Sequence, residues 1–432
     1  MGLCETLRKR IQPLRTPLAA YPGLWEVFEP CFMNTAETTV QQSEGDTFII
    51  TGDIEAMWLR DSTAQVLHYV RFSDDEEIAG MIEGLIARQA ECILRDPYAN
   101  AFKAEPSDFR PFEDEPRPSD WVWERKYETD SLCYPLWLAE RYWKQTGNAS
   151  FLTSRFHDAM RQIVQVLRVE QRHEQSPYRF QRVHCPPSDT LTRDGRGAPV
   201  AYTGMTWSGF RPSDDACRYP YLVPANLFAV RALQAAEKLA MHLQDSELVQ
   251  ETTDLCKEIE QGVMQHGIRQ HPEFGPLYAY EVDGLGNANL MDDANVPSLL
   301  SLPYLEVCSP DDVVYRNTRS FVLSRENPYF YKGRFAEGIG SPHTPQGYIG
   351  PIALCVQAMT SSSTEERAAI LNALMRTHAG TGMMHESFDP QAPEKYTRSW
   401  FAWANSMFGE MIMRLYEEKK LDAVIMRARA ML

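Results

Sequence analysis

Apolar residues recur at every third or fourth position along nearly the whole sequence, and this helical periodicity most constrains the fold. It predicts amphipathic helices at 24–43, 60–72, 75–95, 129–146, 150–174, 224–243, 246–267, 347–360, 364–379, 399–418 and 419–431. The segments 293–303 and 310–324 follow the pattern less regularly and also predict helices. Strand-like stretches are few and short: Thr47–Thr51, Tyr178–Val183 and Leu277–Val282. The chain is therefore expected to be mainly α-helical, with about a dozen helices in up-down succession.

Long loops separate these helices, and their composition indicates that they are ordered. The proline-rich segments Pro106–Pro118, Pro186–Pro199 and Pro342–Pro351 also hold aromatic and charged residues, whereas a flexible linker is rich in glycine and serine. Ordered loops on alternate connections predict an all-α (α/α)6 barrel, with six inner helices ringed by six outer ones and a few short strands at the mouth. A helical-repeat solenoid is the alternative, but no fixed period of about 30–45 residues is visible. The length of 432 residues alone also permits two or three domains, and we expect a single (α/α)6 domain over residues 1–432.

Charge and cysteine usage exclude several classes of protein. The sequence has 59 acidic and 43 basic residues and a net charge of −16, which is unsuited to nucleic acid or to an anionic membrane surface. The nine cysteines are odd in number, scattered and without a CxxC pair, so a zinc knuckle or a disulfide framework is not expected. Charged residues interrupt the amino-terminal segment where a secretory signal needs an apolar stretch, and no stretch approaches the roughly 18 apolar residues of a membrane span. A cytoplasmic location is therefore expected.

Three runs concentrate residue types that carry chemistry. The first, 51–62, places Trp58, Arg60 and Asp61 at the start of a predicted helix. Helix capping with an Arg–Asp ion pair would explain Asp61 alone, but a cap does not require Trp58 and Arg60 beside it.

The second run, 203–216, contains Trp207, Arg211 and the adjacent pair Asp214 and Asp215. Like charge and partial burial both disfavour ionisation, so one of these aspartates is a candidate general acid with a raised pKa. The alternative is a helix amino terminus, where acidic residues interact favourably with the helix dipole.

The third run, 380–404, contains Glu386 between a histidine and a serine, followed by Trp400 and Trp403. A carboxylate in a glycine-led loop suits a base that activates water, and aromatic rings beside carboxylates are typical of sugar sites. Trp403 is explained more simply by core packing. Further polar clusters occur at 123–131 and 340–348, the latter with His343.

The absence of other motifs narrows the chemistry. The sequence has no HExxH, no GxGxxG after a strand, no GxxxxGK[ST] and no GxSxG, so zinc hydrolase, nucleotide-cofactor and serine-esterase chemistry lack their usual elements. The acidic segment 291–295 lacks the spacing of a calcium-binding EF-hand loop. Of the chemistries considered, the one that remains is catalysis by a pair of carboxyl groups acting on a neutral, polyhydroxylated substrate.

Five motifs resemble those of glycoside hydrolase family 125: TGDIEAMWLRDS, WERKYETDSLCYP, GMTWSGFRPSDDAC, SPHTPQGYIGP and GMMHESFD. The resemblance extends from about residue 20 to about residue 415. It implies an (α/α)6 barrel and an exo-α-1,6-mannosidase that removes terminal non-reducing mannose with inversion at the anomeric carbon. It also implies that no metal or other cofactor is required. The expected partner is an oligosaccharide or glycan with terminal α-1,6-linked mannose, with neither nucleic acid nor membrane.

The resemblance also implies roles for individual residues. The general acid falls in the step Ser213-Asp214-Asp215 and is assigned to Asp214, with Asp215 as the alternative; the general base falls on Glu386. An inverting pair is expected to be roughly 6.5–9.5 Å apart. Further residues are expected to bind the terminal mannose: Trp58, Arg60, Asp61, Trp207, Arg211 and His343.

Two alternatives remain open at this point. One is a different inverting exo-glycosidase on the same barrel, such as a glucosidase, because recognition of individual hydroxyls is hard to infer from one sequence. The other is a sugar-binding protein without turnover, which the presence of both candidate carboxylates disfavours.

Overall fold

Helices alternate between two concentric positions in the computed structural model, which describes residues 2–432. In chain order the helices are α1 (Leu3–Ile11), α2 (Arg15–Leu18), α3 (Leu24–Thr38), α4 (Leu59–Val66), α5 (Glu76–Arg95), α6 (Thr129–Thr146), α7 (Ser154–Glu170), α8 (Thr192–Gly195), α9 (Val223–His242), α10 (Ser246–Gly262), α11 (Val313–Val322), α12 (Pro351–Thr360), α13 (Thr364–Thr377), α14 (Ala402–Glu417) and α15 (Leu421–Ala430). A 3₁₀ segment, Leu67–Phe72, continues α4, and a π-helical turn, Val263–Gly267, continues α10.

The inner helices are α4, α6, α9, α12 and α14, which are buried around most of their circumference. Helix α14 packs against α4 and α12, and α6 packs against α4 and α9. The outer helices α5, α7 and α10 bury one face each, as amphipathic helices do. This alternation of inner and outer helices is the (α/α)6 barrel that the sequence predicts.

Residues 298–305 form largely buried turns and no helix, so the helix predicted at 293–303 is wrong. The backbone N–H groups of Leu299 and Leu300 donate to the carboxylate of Asp292 at 2.8 and 2.9 Å, instead of to carbonyls one helical turn back. A side chain that competes for backbone N–H groups in this way disfavours a helix. The apolar spacing is still informative, because it reflects burial against the neighbouring helices.

Other boundaries differ from the predicted ones for local reasons. The helix predicted at 24–43 ends at Thr38, because Val40–Ser43 pairs as a strand with Asp46–Ile49. The helix predicted at 150–174 begins at Ser154, where the side chain of Thr153 accepts a hydrogen bond from the N–H of Phe156. The predicted capped start near 364 is confirmed, since Ser363 accepts from the N–H of Glu366.

Short antiparallel strands lie in the connections between the helices. The strands are β1 (Val40–Ser43), β2 (Asp46–Ile49), β3 (Met57–Trp58), β4 (Ala101–Phe102), β5 (Asp114–Glu115), β6 (Val122–Glu124), β7 (Gln181–Arg182), β8 (Tyr221–Leu222), β9 (Ile268–His271), β10 (Gly275–Tyr278), β11 (Glu281–Val282), β12 (Ala288–Asn289), β13 (Phe330–Lys332), β14 (Glu337–Ile339), β15 (Ser387–Phe388) and β16 (Tyr396–Thr397). Strand β3 leads directly into α4, and β8 leads directly into α9. Loops that carry polar residues are thereby fixed at one end of the barrel. In residues 2–432 no helix combines the length and apolarity needed to cross a membrane.

Candidate active site

A cavity of about 240 Å³ opens at the end of the barrel where the inner helices begin. Its walls come from distant parts of the chain, and they include Arg60, Asp61, Asp214, His343 and Glu386. The three sequence runs that concentrate chemically active residues therefore meet around one space.

The start of α4 forms the buried floor of this cavity. Arg60 is only 2% exposed, and its guanidinium lies 3.4 Å from Asp61 and 5.6 Å from the centre of the Trp403 ring. Burial raises the pKa of Asp61 to about 6, against the opposing effect of Arg60. The indole of Trp58, the last residue of β3, lines the same wall.

Backbone hydrogen bonds connect the two ends of the loop that carries Asp214, and they fix the direction of the Asp214 side chain. Phe210 and Ala216 form an antiparallel bridge, and the N–H of Asp214 donates to the carbonyl of Arg211 at 2.9 Å. Asp214 has φ of 67°, a left-handed conformation that is uncommon outside glycine but that aspartate tolerates better than most residues. Lys126 donates to the Asp214 carbonyl at 2.9 Å and so holds this turn in place.

The electrostatic surroundings of Asp214 are strongly cationic. Burial alone would raise the pKa of its carboxyl, but Lys126 and Arg60 outweigh burial and hold the pKa at about 2. One Arg60 nitrogen lies 3.5 Å from Oδ1 of Asp214. The raised carboxyl pKa expected here from the sequence is instead found on Glu128, directly behind Asp214, where burial raises the pKa well above its usual range.

Asp215 points away from the cavity and contacts a histidine. Its Oδ1 lies 3.0 Å from Nδ1 of His343, and Asp215 does not line the cavity although His343 does. Because of the left-handed turn at Asp214, the two adjacent carboxylates point in different directions. The carboxylate of Asp214 lines the cavity, and that of Asp215 contacts His343.

Glu386 reaches the cavity from the segment just before β15. Its N–H donates to the carbonyl of Thr397 at 3.3 Å, which ties this segment to β16. The ring of the preceding His385 stacks on Tyr396 with centroids 3.7 Å apart. These contacts fix the backbone on both sides of Glu386, so that its carboxylate shares the cavity with that of Asp214.

Several buried polar atoms of the cavity residues lack a hydrogen-bond partner in the part of the chain that the structure describes. They are Nε1 of Trp58, Nε of Arg60, Oδ2 of Asp61, Oγ of Ser213 and Nε1 of Trp403. Buried polar groups are normally paired, so donors and acceptors that converge on one cavity suit a ligand with many hydroxyl groups.

Two residues assigned to the pocket from the sequence lie outside it. Trp207 is fully buried, and its ring stacks on that of His173 with centroids 3.5 Å apart. Arg211 donates to both carboxylate oxygens of Glu281, at 2.6 and 3.0 Å. Neither side chain lines the cavity, because each is held by partners in the surrounding core.

Other cavity residues are not singled out by the sequence. Asn295, Arg398 and Phe401 line the cavity, and Trp403 is both a core residue, as the sequence suggests, and part of the wall. Arg398 lies in the third sequence run and pairs with Asp53 of the first, a connection across most of the chain that spacing does not reveal. Among residues 2–432 no group of three or more His, Cys, Asp and Glu side chains is arranged to hold a metal ion.

Residues 22–413 match a family model described as metal-independent alpha-mannosidase, GH125. A curated Schizosaccharomyces pombe relative, the meiotically up-regulated gene 157 protein, is 40% identical over 426 residues, which cover 92% of this chain and 83% of that protein.

Solved structures extend the comparison. A metal-independent alpha mannosidase from Streptococcus pneumoniae, in a non-productive complex with alpha-1,6-mannobiose, is 45% identical with a TM-score of 0.93 over 96% of this chain and 98% of that one. A bacterial glucoamylase complexed with acarbose shares the fold, with 13% identity and a TM-score of 0.59 over 93% of this chain and 57% of that one. The match to the family model and the extent of the similarity place this chain in glycoside hydrolase family 125, the metal-independent α-mannosidases.

Proposed function

We propose that this chain is an exo-acting α-1,6-mannosidase that releases terminal non-reducing mannose with inversion of anomeric configuration. The observation that carries the proposal is the convergence of Asp214 and Glu386 on one cavity whose floor is buried. A cavity with a closed floor suits the end of a glycan chain rather than its middle. The complex of the Streptococcus pneumoniae relative with alpha-1,6-mannobiose supports this linkage.

In the proposed reaction, Asp214 gives a proton to the glycosidic oxygen as the bond to the anomeric carbon breaks. Glu386 accepts a proton from the water that attacks the opposite face of the sugar. Separate acid and base carboxyls with room for water between them give inversion. The closed turn at Asp214 and the strand pairing beside Glu386 support these roles, because they fix each carboxyl independently of substrate.

Trp58, Arg60 and Asp61 are proposed to bind the hydroxyls of the terminal mannose. Each has a buried polar atom without a hydrogen-bond partner, although Nε of Arg60 and Oδ2 of Asp61 form an ion pair at 3.4 Å. Hydrogen bonds to the sugar hydroxyls would satisfy these atoms, which supports the proposed role. His343, held by Asp215, is proposed to contact the sugar from the opposite wall.

Hydrolysis of α-1,6-mannobiose, with product anomers followed by NMR in the presence of EDTA, tests the activity. We expect β-mannose to appear first and activity to survive the chelator. Asp214→Asn and Glu386→Gln should each lower kcat by about 10²–10⁴-fold. Initial release of α-mannose would contradict inversion. Binding without hydrolysis would indicate a sugar-binding protein, and preference for a glucoside would indicate a different exo-glycosidase.

We also propose a cytoplasmic location and a single catalytic domain. All nine cysteines are free thiols, as is usual in a reducing compartment. One continuous hydrophobic core runs from Leu3 to Ala428, which supports a single domain over the described residues. Limited proteolysis that released a stable fragment would contradict the single domain.

A further inference from the structure

The carboxyl groups of Glu128 and Asp214 lie close together, because Arg60 and Asn100 each contact both of them. Glu128 is 1% exposed and does not line the cavity, whereas the Asp214 side chain is 28% exposed and does. Arg60 reaches both carboxyls, at 2.6 Å from Oε2 of Glu128 and 3.5 Å from Oδ1 of Asp214. Nδ2 of Asn100 also lies between them, at 3.4 and 3.5 Å from one oxygen of each.

Two ionised carboxylates can only accept hydrogen bonds, so a hydrogen bond between them requires one proton. Burial raises the pKa of Glu128 well above its usual range, in spite of Arg60, while Asp214, facing Lys126 and Arg60, keeps a low pKa. The other charged groups near the pair are Asp61 and Asp130, which face Arg60, and Glu124 and Asp189, which lie beside Lys126. His343, which lines the same cavity, also acts on Asp214. Both shifts favour a proton on Glu128 over a proton on Asp214.

This arrangement bears on the proposed function, on which the inference rests. A general acid must be protonated when its substrate arrives, yet the cations beside Asp214 favour its ionised form. We infer that Glu128 and Asp214 share one proton, and that Glu128 is a positioning residue that stores this proton and passes it to Asp214 when substrate fills the cavity.

The proton balance of one turnover closes with water as the only co-reactant. The O–H bond of Glu128 breaks as an O–H bond forms on Asp214, and Asp214 then protonates the glycosidic oxygen, which keeps the electron pair of the broken C–O bond. Attacking water forms the new C–O bond and leaves its proton on Glu386. After the products depart, Glu386 returns a proton to bulk water and the Glu128–Asp214 pair takes one from it.

Asp130 provides a matched comparison. It is fully buried, belongs to the same helix start as Glu128, and accepts from the same nitrogen of Arg60 at 3.2 Å. Nδ2 of Asn100, which donates to Glu128 and Asp214, does not donate to Asp130 in the described residues. Loss of its charge should therefore disturb Arg60 without removing the shared proton.

The pH dependence of kcat/KM for Glu128→Gln tests the inference, with α-1,6-mannobiose and a dinitrophenyl α-mannoside as substrates. The aryl leaving group departs without a proton, so only mannobiose hydrolysis needs the general acid. We expect the alkaline limb for mannobiose to move to lower pH by about 1–3 units, because Asp214 then faces its cations alone. The aryl mannoside should keep most of its rate, and Asp130→Asn should leave the alkaline limb in place. An unmoved limb, or an equal loss on both substrates, would overturn the inference.

Two controls keep the result interpretable. If Asp214→Asn hydrolyses mannobiose at nearly the wild-type rate, the proposed function is contradicted. If Asp214→Asn is impaired but the alkaline limb of the pH profile of Glu128→Gln has not moved, only the role of Glu128 in holding the proton is contradicted. Should Glu128→Gln not fold, infrared difference spectra between wild type and Asp214→Asn at neutral pH carry the test. The amide introduced at position 214 donates to an ionised Glu128, so a shared proton predicts loss of a carboxylic-acid band, while the carboxylate band of Asp214 is replaced by a carboxylate band of Glu128. Loss of the carboxylate band alone would overturn the inference.

Discussion

Nδ1 of His343 lies 3.0 Å from Oδ1 of Asp215, and His343 lines the same cavity as Arg60. Burial alone would lower the pKa of the imidazole, but the hydrogen bond and the charge of Asp215 raise it to about 9. The raised pKa favours the imidazolium form of His343 at neutral pH.

The titration of His343 should reveal this contact. We expect NMR to give a pKa of about 9 for its imidazole in the wild type and a value nearer the ordinary one of about 6.5 in Asp215→Asn. Because the folded pKa is raised, the contact stabilises the fold fully below about pH 6.5, and this stabilisation is lost as the pH rises through about 9. An unchanged titration in Asp215→Asn would show that another group sets the charge of His343.

Kinetics of Asp215→Asn should separate the adjacent aspartates. Since Asp215 acts through His343, its loss is expected to raise KM by about tenfold, the cost of one weakened hydrogen bond to a charged group. The kcat for α-1,6-mannobiose should fall far less than in Asp214→Asn. If Asp215→Asn lost kcat on mannobiose but not on an aryl mannoside, the general acid would have to be reassigned to Asp215.

Asp61 makes the fold less stable at neutral pH. Its pKa of about 6 lies above the unfolded value, so the folded state binds the proton more tightly, and the free energy of unfolding falls as the pH rises from about 4 to about 6. Between about pH 4 and about pH 6, the free energy of unfolding of Asp61→Asn should rise relative to that of the wild type by up to about 3 kcal/mol, as measured by urea unfolding. The variant should also bind the sugar less tightly. A stability difference that is constant with pH would mean that Asp61 is ionised throughout.

Gly52 permits a close approach between the two ends of the chain. It has φ of 129° and forms a bridge with Phe401, and a Cβ atom there would lie 2.8 Å from the carbonyl oxygen of Trp400. Gly52→Ala should therefore displace the segment that carries Phe401 and lower kcat/KM by about tenfold or more. Gly45→Ala is the control, because Gly45 also has positive φ but a Cβ atom there would have no neighbouring atom within 4 Å. If kcat/KM fell equally in both variants, backbone strain alone would explain the effect.

Trp58 and Trp207, which lie in different sequence motifs, should respond differently to substitution. Trp58→Phe removes an unpaired Nε1 from the cavity wall and should raise KM with little change in the melting temperature. Trp207→Phe reduces packing against His173 and Tyr127 and should lower the free energy of unfolding by about 1–3 kcal/mol while KM is kept. A raised KM in Trp207→Phe without loss of stability would return Trp207 to the binding site.

The amino-acid pattern is sufficient to predict the barrel because burial imposes a period on each helix. The helix predicted at 129–146 is confirmed to the residue, since its apolar face and its glycine stop are both local signals. The helix predicted at 293–303 is wrong because two backbone N–H groups of this segment donate to the carboxylate of Asp292 and not to helical carbonyl groups. The apolar periodicity reflects burial, but it does not reveal this competition for hydrogen bonds. The short amino-terminal helix Leu3–Ile11 is not among the predicted helices.

By itself the sequence determined the fold class, the resemblance to a hydrolase family and the three runs that supply the cavity. Only the tertiary structure decided which residues of those runs face the cavity. Trp207 and Arg211 turn into the core, Asp215 turns to His343, and Glu128 comes to lie behind Asp214. Side-chain direction and the sharing of a proton depend on contacts between residues far apart in the chain, and those contacts exist only when the barrel has closed.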